Sequence, residues 1–256
     1  MNDFNRQYGA TAPGRAMDTS TDAGLRAFML GVYSKLAIGI ALAGGLAFAA
    51  GTYEPLTQLV FGTPLRFVVQ FGPIGLILFS AFAMRRPSPL GSAVLYWSVV
   101  TLMGLGLGVW VFAATNGVTL SSRGGRIMSP EMLTIAKAFF VTASAFGALS
   151  LFGYTTKTNL RPMGVFMVMA LWGVIGISVI SLFFPASSML ENIIMGAVLL
   201  LSAGLIAWET QELKEGYYQF AGDQRSMAVM TNWGALNFFI LFYNMFQIIL
   251  SFMSSD

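Results

Sequence analysis

The chain has 256 residues, of which 56% are hydrophobic and only 10% are charged, and its formal net charge is +3. Because a soluble domain is roughly 25% charged, this composition excludes a water-exposed surface and predicts a protein embedded in lipid. There is no cysteine and no histidine, which excludes disulfides, thiol nucleophiles and histidine-based metal sites or general bases. The sequence also holds no nucleophile–base pair and no cofactor motif, so we predict neither enzyme activity nor a bound cofactor.

Residues 1–22 differ in composition from the rest of the chain. They are polar, rich in Gly, Thr and Asp, and contain no apolar segment like that of a signal peptide. Segments of low hydrophobicity cannot bury enough apolar surface to fold. We therefore predict a disordered cytoplasmic tail over residues 1–22, followed by a single transmembrane domain over residues 23–256.

Seven uncharged segments are close to the ~20 residues that a helix needs to cross the hydrocarbon core. They are Leu36–Tyr53, Phe67–Met84, Pro87–Ser122, Ala138–Thr156, Met163–Leu190, Asn192–Trp208 and Ser226–Ser255. Lipid offers no hydrogen-bond partner to exposed backbone groups, so these segments must be helices. The third helix is assigned to Leu90–Thr115, which leaves residues 116–130 as a loop. The predicted fold is an all-α membrane protein with seven transmembrane helices.

Lysine and arginine are unequally divided between the two sides of these spans, and this bias sets orientation in membranes. With a cytoplasmic N-terminus, that side carries Arg6, Arg15, Arg26, Arg85, Arg86, Lys157, Arg161, Lys214 and Arg225. The other side carries only Arg66, Arg123 and Arg126. We predict a bacterial-type inner membrane protein with its N-terminus in the cytoplasm and its C-terminus outside, and no nucleic-acid partner. Lys35 and Lys137 are interpreted as snorkelling from helix ends, with no partner inside the membrane.

A carboxylate and several amides lie at the ends of the spans or within them. Glu209 closes the sixth apolar segment, on the same predicted side as Arg85 and Arg86. In the last span, Asn237 and Asn244 are one heptad apart and therefore on one face. These amides either line a polar interior or only join neighbouring helices by hydrogen bonds, and both interpretations remain open.

Three segments resemble the Bax inhibitor-one/YccA-like membrane family. Thr142–Gly164 resembles its fourth-helix and loop signature, Ala207–Glu215 its acidic-Thr-Gln segment, and Ala235–Phe246 its last helix. The resemblance covers roughly residues 26–253, and the number and order of the spans agree. It implies a bundle in which six helices surround the central C-terminal helix.

The resemblance also implies a pH-sensitive calcium leak. It places this activity on two carboxylates, one ending the sixth helix and one within the seventh, with an arginine of the second helix as a latch. Glu209 matches the first carboxylate, and Arg85 or Arg86 matches the latch. Leu241 stands at the position of the second carboxylate, so the repulsion between two like charges is lost.

Calcium is therefore expected as a transported ion rather than a bound cofactor. It prefers 6–8 oxygen ligands, and a few oxygens are offered by Glu209, Gln211, Glu212 and Asn244. This number favours transient contact over a storage site. Glu212 and Glu215 are also typical of a solvated helix face.

A second hypothesis gives the chain no transport activity of its own. The resemblance implies that such proteins bind and restrain a membrane-anchored quality-control protease. The cytoplasmic tail, residues 1–22, is the segment that such a protease would hold. The sequence leaves both hypotheses open: a cation leak channel or a regulator.

Overall fold

The computed structural model describes residues 14–83, 87–122, 125–180 and 187–255, with the backbone alone described for 14–22, 83, 178 and 179. This part of the chain forms helices and one short hairpin. The helices are α1 (Gly14–Thr52), α2 (Glu54–Phe61), α3 (Leu65–Ala83), α4 (Pro89–Asn116), α5 (Met132–Thr155), α6 (Arg161–Ile180), α7 (Ser188–Phe220) and α8 (Gln224–Met253). The strands are β1 (Leu120–Ser121) and β2 (Ile127–Met128), which pair antiparallel.

Six of the described helices are long and apolar enough to cross a membrane, namely α1, α3, α4, α5, α7 and α8. The apolar part of α6, Arg161–Ile177, is shorter. The predicted all-α membrane protein is confirmed at this level. A seventh span through α6 stays a prediction.

Several predicted boundaries are wrong. The helix α1 begins at Gly14, inside the segment predicted to be disordered, while residues 1–13 lie outside the described part. The predicted fifth span, Met163–Leu190, belongs to two helices, because Ser187 caps the start of α7 through its side chain. A charge count cannot detect such a boundary, because capping uses an uncharged hydroxyl.

The sixth predicted span ends at Trp208, but α7 continues to Phe220. The prediction ended the span at its first charged residue. Glutamate, glutamine, leucine and lysine are nevertheless good helix formers, and the helix continues to Phe220, just before Gly222 with φ +100°. Glu209 therefore lies within a helix, about three turns before its end.

The loop predicted over residues 116–130 holds the hairpin that closes one end of the bundle. The Arg126 guanidinium lies 4.8 Å from the centre of the Phe252 ring. It donates hydrogen bonds to Asn192 Oδ1 at 3.0 Å and to the Ser251 carbonyl at 3.1 Å. The hairpin thus joins the start of α7 to the end of α8, and we call this the hairpin end of the bundle.

The helices α5 and α7 run in the same direction. Both are antiparallel to α8: from α5, Phe139 contacts Phe242 and Phe146 contacts Phe238. From the second half of α7, Glu209 contacts Asn237 and Leu213 contacts Gly234. The start of α6 approaches the same part of α7, because Gly164 packs against Trp208. The helix α6 is antiparallel to α7, since Met167, further along α6, packs against Gly204, earlier in α7.

The helix α8 carries the longest series of buried residues, and it packs against α1, α4, α5 and α7. In contrast, α3 packs mainly on α4, and α6 packs mainly on α7. The expectation that six helices surround α8 stays a prediction. What the contacts establish is that α8 is enclosed by four helices and lies deep in the bundle.

Small residues bring α1 and α4 together. A Cβ atom added to Gly104 would lie 2.7 Å from the Ala43 Cα, and one added to Gly108 would lie 2.7 Å from the Ala50 Cβ. Glycine at such positions allows two backbones to approach closely, which is a common basis of helix association in membranes. The pair α1–α4 supports one side of α8.

We predict that Gly104→Ala destabilises the protein, whereas Gly106→Ala does not. The added methyl at position 104 forces the two backbones apart, at a cost of about 1–3 kcal/mol. At position 106 the nearest atom would be Val69 Cγ1 at 3.6 Å, an ordinary contact. Melting temperatures in detergent measure the difference. Equal melting of the two variants would contradict the close α1–α4 contact.

Candidate functional site

The helices α7 and α8 place a carboxylate against an amide inside the bundle. The Asn237 side chain donates a hydrogen bond from Nδ2 to Glu209 Oε1 at 2.9 Å. Both side chains are half-buried. Within the described ranges, Asn237 is the one hydrogen-bond partner of this carboxylate. The structure thus brings together two residues that the sequence predicted as parts of one site.

Glu209 and Asn237 line a cavity of about 200 Å³. We call it the Glu209 cavity, and its remaining lining residues are Val168, Leu205, Trp208, Ile240 and Leu241. Leu241 therefore lies beside Glu209, where the resemblance places a second carboxylate, and it contributes an apolar side chain instead. The buried indole nitrogen of Trp208 has no hydrogen-bond partner among the described residues.

Asn244 lies in a different cavity, of about 610 Å³. We call it the α3 cavity, because it lies between α3, α4 and α8. Its polar lining residues are Arg66, Gln70, Tyr243, Asn244 and Gln247. Asn237 and Asn244 thus share a helix face, as the heptad spacing predicts, but they do not share a cavity. Ile240 lines both cavities.

The predicted latch, Arg85 or Arg86, lies outside the described residues and stays a prediction. In the described ranges, no cluster of three acidic side chains could hold a metal ion. Among the residues that the structure describes, Glu209 is the only carboxylate that lines the Glu209 cavity. A single carboxylate with one amide offers fewer oxygens than the 6–8 that calcium takes as ligands.

The model of the family described as "Inhibitor of apoptosis-promoting Bax1" matches residues 25–256. This chain belongs to the Bax inhibitor-one family. An uncharacterized protein of Caulobacter vibrioides is 44% identical over all of this chain and 99% of its own length. Protein RP147 of Rickettsia prowazekii is 30% identical over 97% of this chain and 98% of its own. Inner membrane protein YbhL of Escherichia coli is 29% identical over 89% and 91%, respectively.

In this Bax inhibitor-one family member, the prediction that Lys35 has no partner inside the membrane is wrong, while its snorkelling stays a prediction. Lys35 lies well inside α1, and its ammonium group donates a hydrogen bond to Asn232 Oδ1 on α8. It also lies 5.4 Å from the centre of the Tyr96 ring and 5.9 Å from that of Trp97. The sequence signal was a lysine between apolar residues, but its partner lies 197 positions away.

The partner amide is held in turn by α4. Asn232 Nδ2 donates to Ser92 Oγ at 2.8 Å and to the Pro89 carbonyl at 3.0 Å. The Tyr96 hydroxyl donates to the Lys35 carbonyl at 2.8 Å. The half-buried ammonium group of Lys35 therefore has hydrogen-bond and aromatic partners on two other helices.

Gln211 has a structural role that sequence reasoning missed. Its Oε1 accepts from the Leu160 backbone N–H at 2.7 Å, and its Nε2 donates to the Thr158 carbonyl at 2.9 Å. One turn further on, the Lys214 ammonium donates to the Tyr154 carbonyl at 3.0 Å. These contacts hold the second half of α7 on the α5–α6 connection. Gln211 is thus engaged in structural hydrogen bonds rather than lining the Glu209 cavity.

We predict that Asn232→Leu destabilises the protein more than Lys35→Met does. The first change leaves the half-buried ammonium group without its amide partner, a loss of about 1.5–3 kcal/mol. The second removes the charge and leaves Asn232 its bonds to Ser92 and Pro89, at a cost of about 1 kcal/mol.

Melting temperatures in detergent of both variants and of the double variant measure this asymmetry. The double variant should be more stable than Asn232→Leu alone, since no unpaired charge remains. Equal losses in the two single variants would show that the ammonium group does not depend on Asn232.

Proposed function

We propose that this chain is a cation leak channel of the inner membrane and that Glu209 is the carboxylate that the passing cation contacts. The observation that carries the proposal is a carboxylate inside α7 that lies beside a cavity and is held by an amide of the deeply buried α8. Ionisable residues within membrane helices are costly and are typical of ion pathways. Calcium is the cargo that the family resemblance suggests.

The proposed topology has seven spans, with α6 as the fifth. The parallel course of α5 and α7 supports this assignment, because the chain must cross back between them. An odd number of spans puts the termini on opposite sides, and the excess of lysine and arginine then puts the N-terminus in the cytoplasm. Glu209 lies in the cytoplasmic half, and the relative named inner membrane protein YbhL supports the location. We also propose that Arg85 or Arg86 is the latch, the arginine that the family resemblance assigns to the carboxylate site.

Because position 241 is leucine, the proposed channel has only one of the two carboxylates of the pair. Two carboxylates in one small cavity cannot both stay ionised near neutral pH, so a pair makes ion contact depend on pH. With Leu241 in the cavity, Glu209 is the only carboxylate that lines it in the described part of the chain. We infer that an acidic residue at position 241 restores the pair and its pH dependence.

We predict that Glu209→Gln reduces calcium entry into dye-loaded liposomes by about tenfold, because removing one charged contact costs about 1.5 kcal/mol. The matched control is Glu215→Gln, which makes the same change at an exposed position of the same helix. An equal reduction by both variants would indicate a surface-charge effect, and no reduction by either would overturn the assignment of Glu209.

In the same assay Leu241→Asp should produce a leak that changes between pH 6 and pH 8, since a carboxylate pair titrates in steps that a single carboxylate does not have. A leak of Leu241→Asp with the pH profile of the wild type would argue against a shared ion site at these two positions.

The alternative is a regulator that binds a membrane-anchored quality-control protease and transports nothing. The apolar side chain of Leu241 beside Glu209 favours it, since the second carboxylate is missing. We then expect deletion of residues 2–22 to abolish association with the protease in a pull-down from membranes. Association that survives the deletion would show that the tail is not the binding segment. Absence of flux from the purified wild type would favour this alternative.

A further inference from the structure

The Glu209 cavity and the α3 cavity lie on one face of α8 and toward opposite ends of the bundle. The first is lined by the second half of α7, and the second by the start of α3 and the second half of α4. Asn237 lines the first and Asn244 the second, which places them about 10 Å apart along the helix axis. The α3 cavity therefore lies toward the hairpin end.

Ile240 stands between the two cavities and lines both. It lies one turn from Asn237 and one turn from Asn244 on the same helix face. Its neighbour Leu241 is buried and lines only the Glu209 cavity. Along this face of α8, Ile240 and Leu241 separate Asn237 from Asn244, and of these two only Ile240 lines both cavities.

The two cavities also lie where α8 has the fewest helix contacts. The helices α3 and α6 pack mainly on α4 and α7 rather than on α8. The α3 cavity lies between α3 and α8. The Glu209 cavity lies between α6 and α8, and Val168 of α6 forms part of its wall. Both spaces are lined in part by polar groups, as water-filled spaces in membrane proteins are.

An apolar constriction between two wet spaces blocks ions, because a narrow apolar passage does not hold the water that an ion needs. We propose that the side chain of Ile240 is the barrier between two water-accessible cavities and closes the ion path between Glu209 and the hairpin end. The inference rests on the proposed function, since it names the closure of that same path. It also assigns the α3 cavity, through Asn244 and Gln247, as the vestibule on the hairpin end.

The absence of native cysteine makes this barrier directly testable. Single-cysteine variants Asn237→Cys and Asn244→Cys are placed in vesicles of known orientation. A positively charged, membrane-impermeant methanethiosulfonate reagent is then added from the side of the hairpin end. We expect Asn244→Cys to react and Asn237→Cys not to react.

Adding Ile240→Ala to Asn237→Cys should then allow labelling from the hairpin end at the rate of Asn244→Cys. The matched control is Ile249→Ala, which makes the same change at another half-buried position of α8 that lines neither cavity. We expect no labelling of Asn237→Cys in that background. Retained labelling of Asn244→Cys in both backgrounds verifies the fold.

Three results would overturn the barrier. They are labelling of Asn237→Cys from the hairpin end with Ile240 in place, failure of Ile240→Ala to permit it, and failure of Asn244→Cys to react at all. Equal gains from Ile240→Ala and Ile249→Ala would also overturn it, because they would indicate general loosening of α8.

The labelling readout does not depend on ion flux, so the two proposals fail in different ways. If Ile240→Ala opens Asn237→Cys to labelling but no variant conducts calcium, the barrier is correct and the channel function is wrong. If Glu209→Gln reduces flux while Ile240→Ala changes neither labelling nor flux, the channel function holds and the barrier lies elsewhere.

Discussion

The structure depends on one constraint, which is that polar groups inside a bilayer must find their partners within the protein. The helix α8 meets this constraint twice with an asparagine. Asn232 accepts a hydrogen bond from the Lys35 ammonium, and Asn237 donates one to the Glu209 carboxylate. The same helix therefore holds a cation from α1 and an anion from α7. Its deep burial makes both contacts possible.

The two contacts differ in what surrounds them. Lys35 is half-buried and contacts Asn232 and two aromatic rings, and Asn232 has further bonds to α4, so this network is satisfied and structural. Glu209 has one amide partner among the described residues and borders a cavity. A carboxylate with spare acceptor capacity beside a cavity can contact a passing cation, whereas an ammonium group repels one. This contrast is the reason for placing function at Glu209.

The fold keeps the cavities because its tight contacts lie elsewhere. Small residues allow α1 to pack closely against α4. Hydrogen bonds from Gln211 hold α7 on the α5–α6 connection, and one from Lys214 holds it on the end of α5. The hairpin and Arg126 close the far end of α8. With α8 fixed on these sides, the spaces toward α3 and α6 remain open. One side chain, Ile240, then decides whether those spaces communicate.

The amino-acid sequence alone determined the membrane location, the helical class and most of the spans, because charge and apolar length act locally. It also identified Glu209 and Asn237 as candidate site residues, because Glu209 follows an apolar segment directly and Asn237 lies within one. Only the tertiary structure decided that Asn232 pairs with Lys35, that α7 runs past Glu209, and that Asn237 and Asn244 lie in separate cavities. These facts depend on how helices distant in sequence pack, and neither periodicity nor charge counts carry that information.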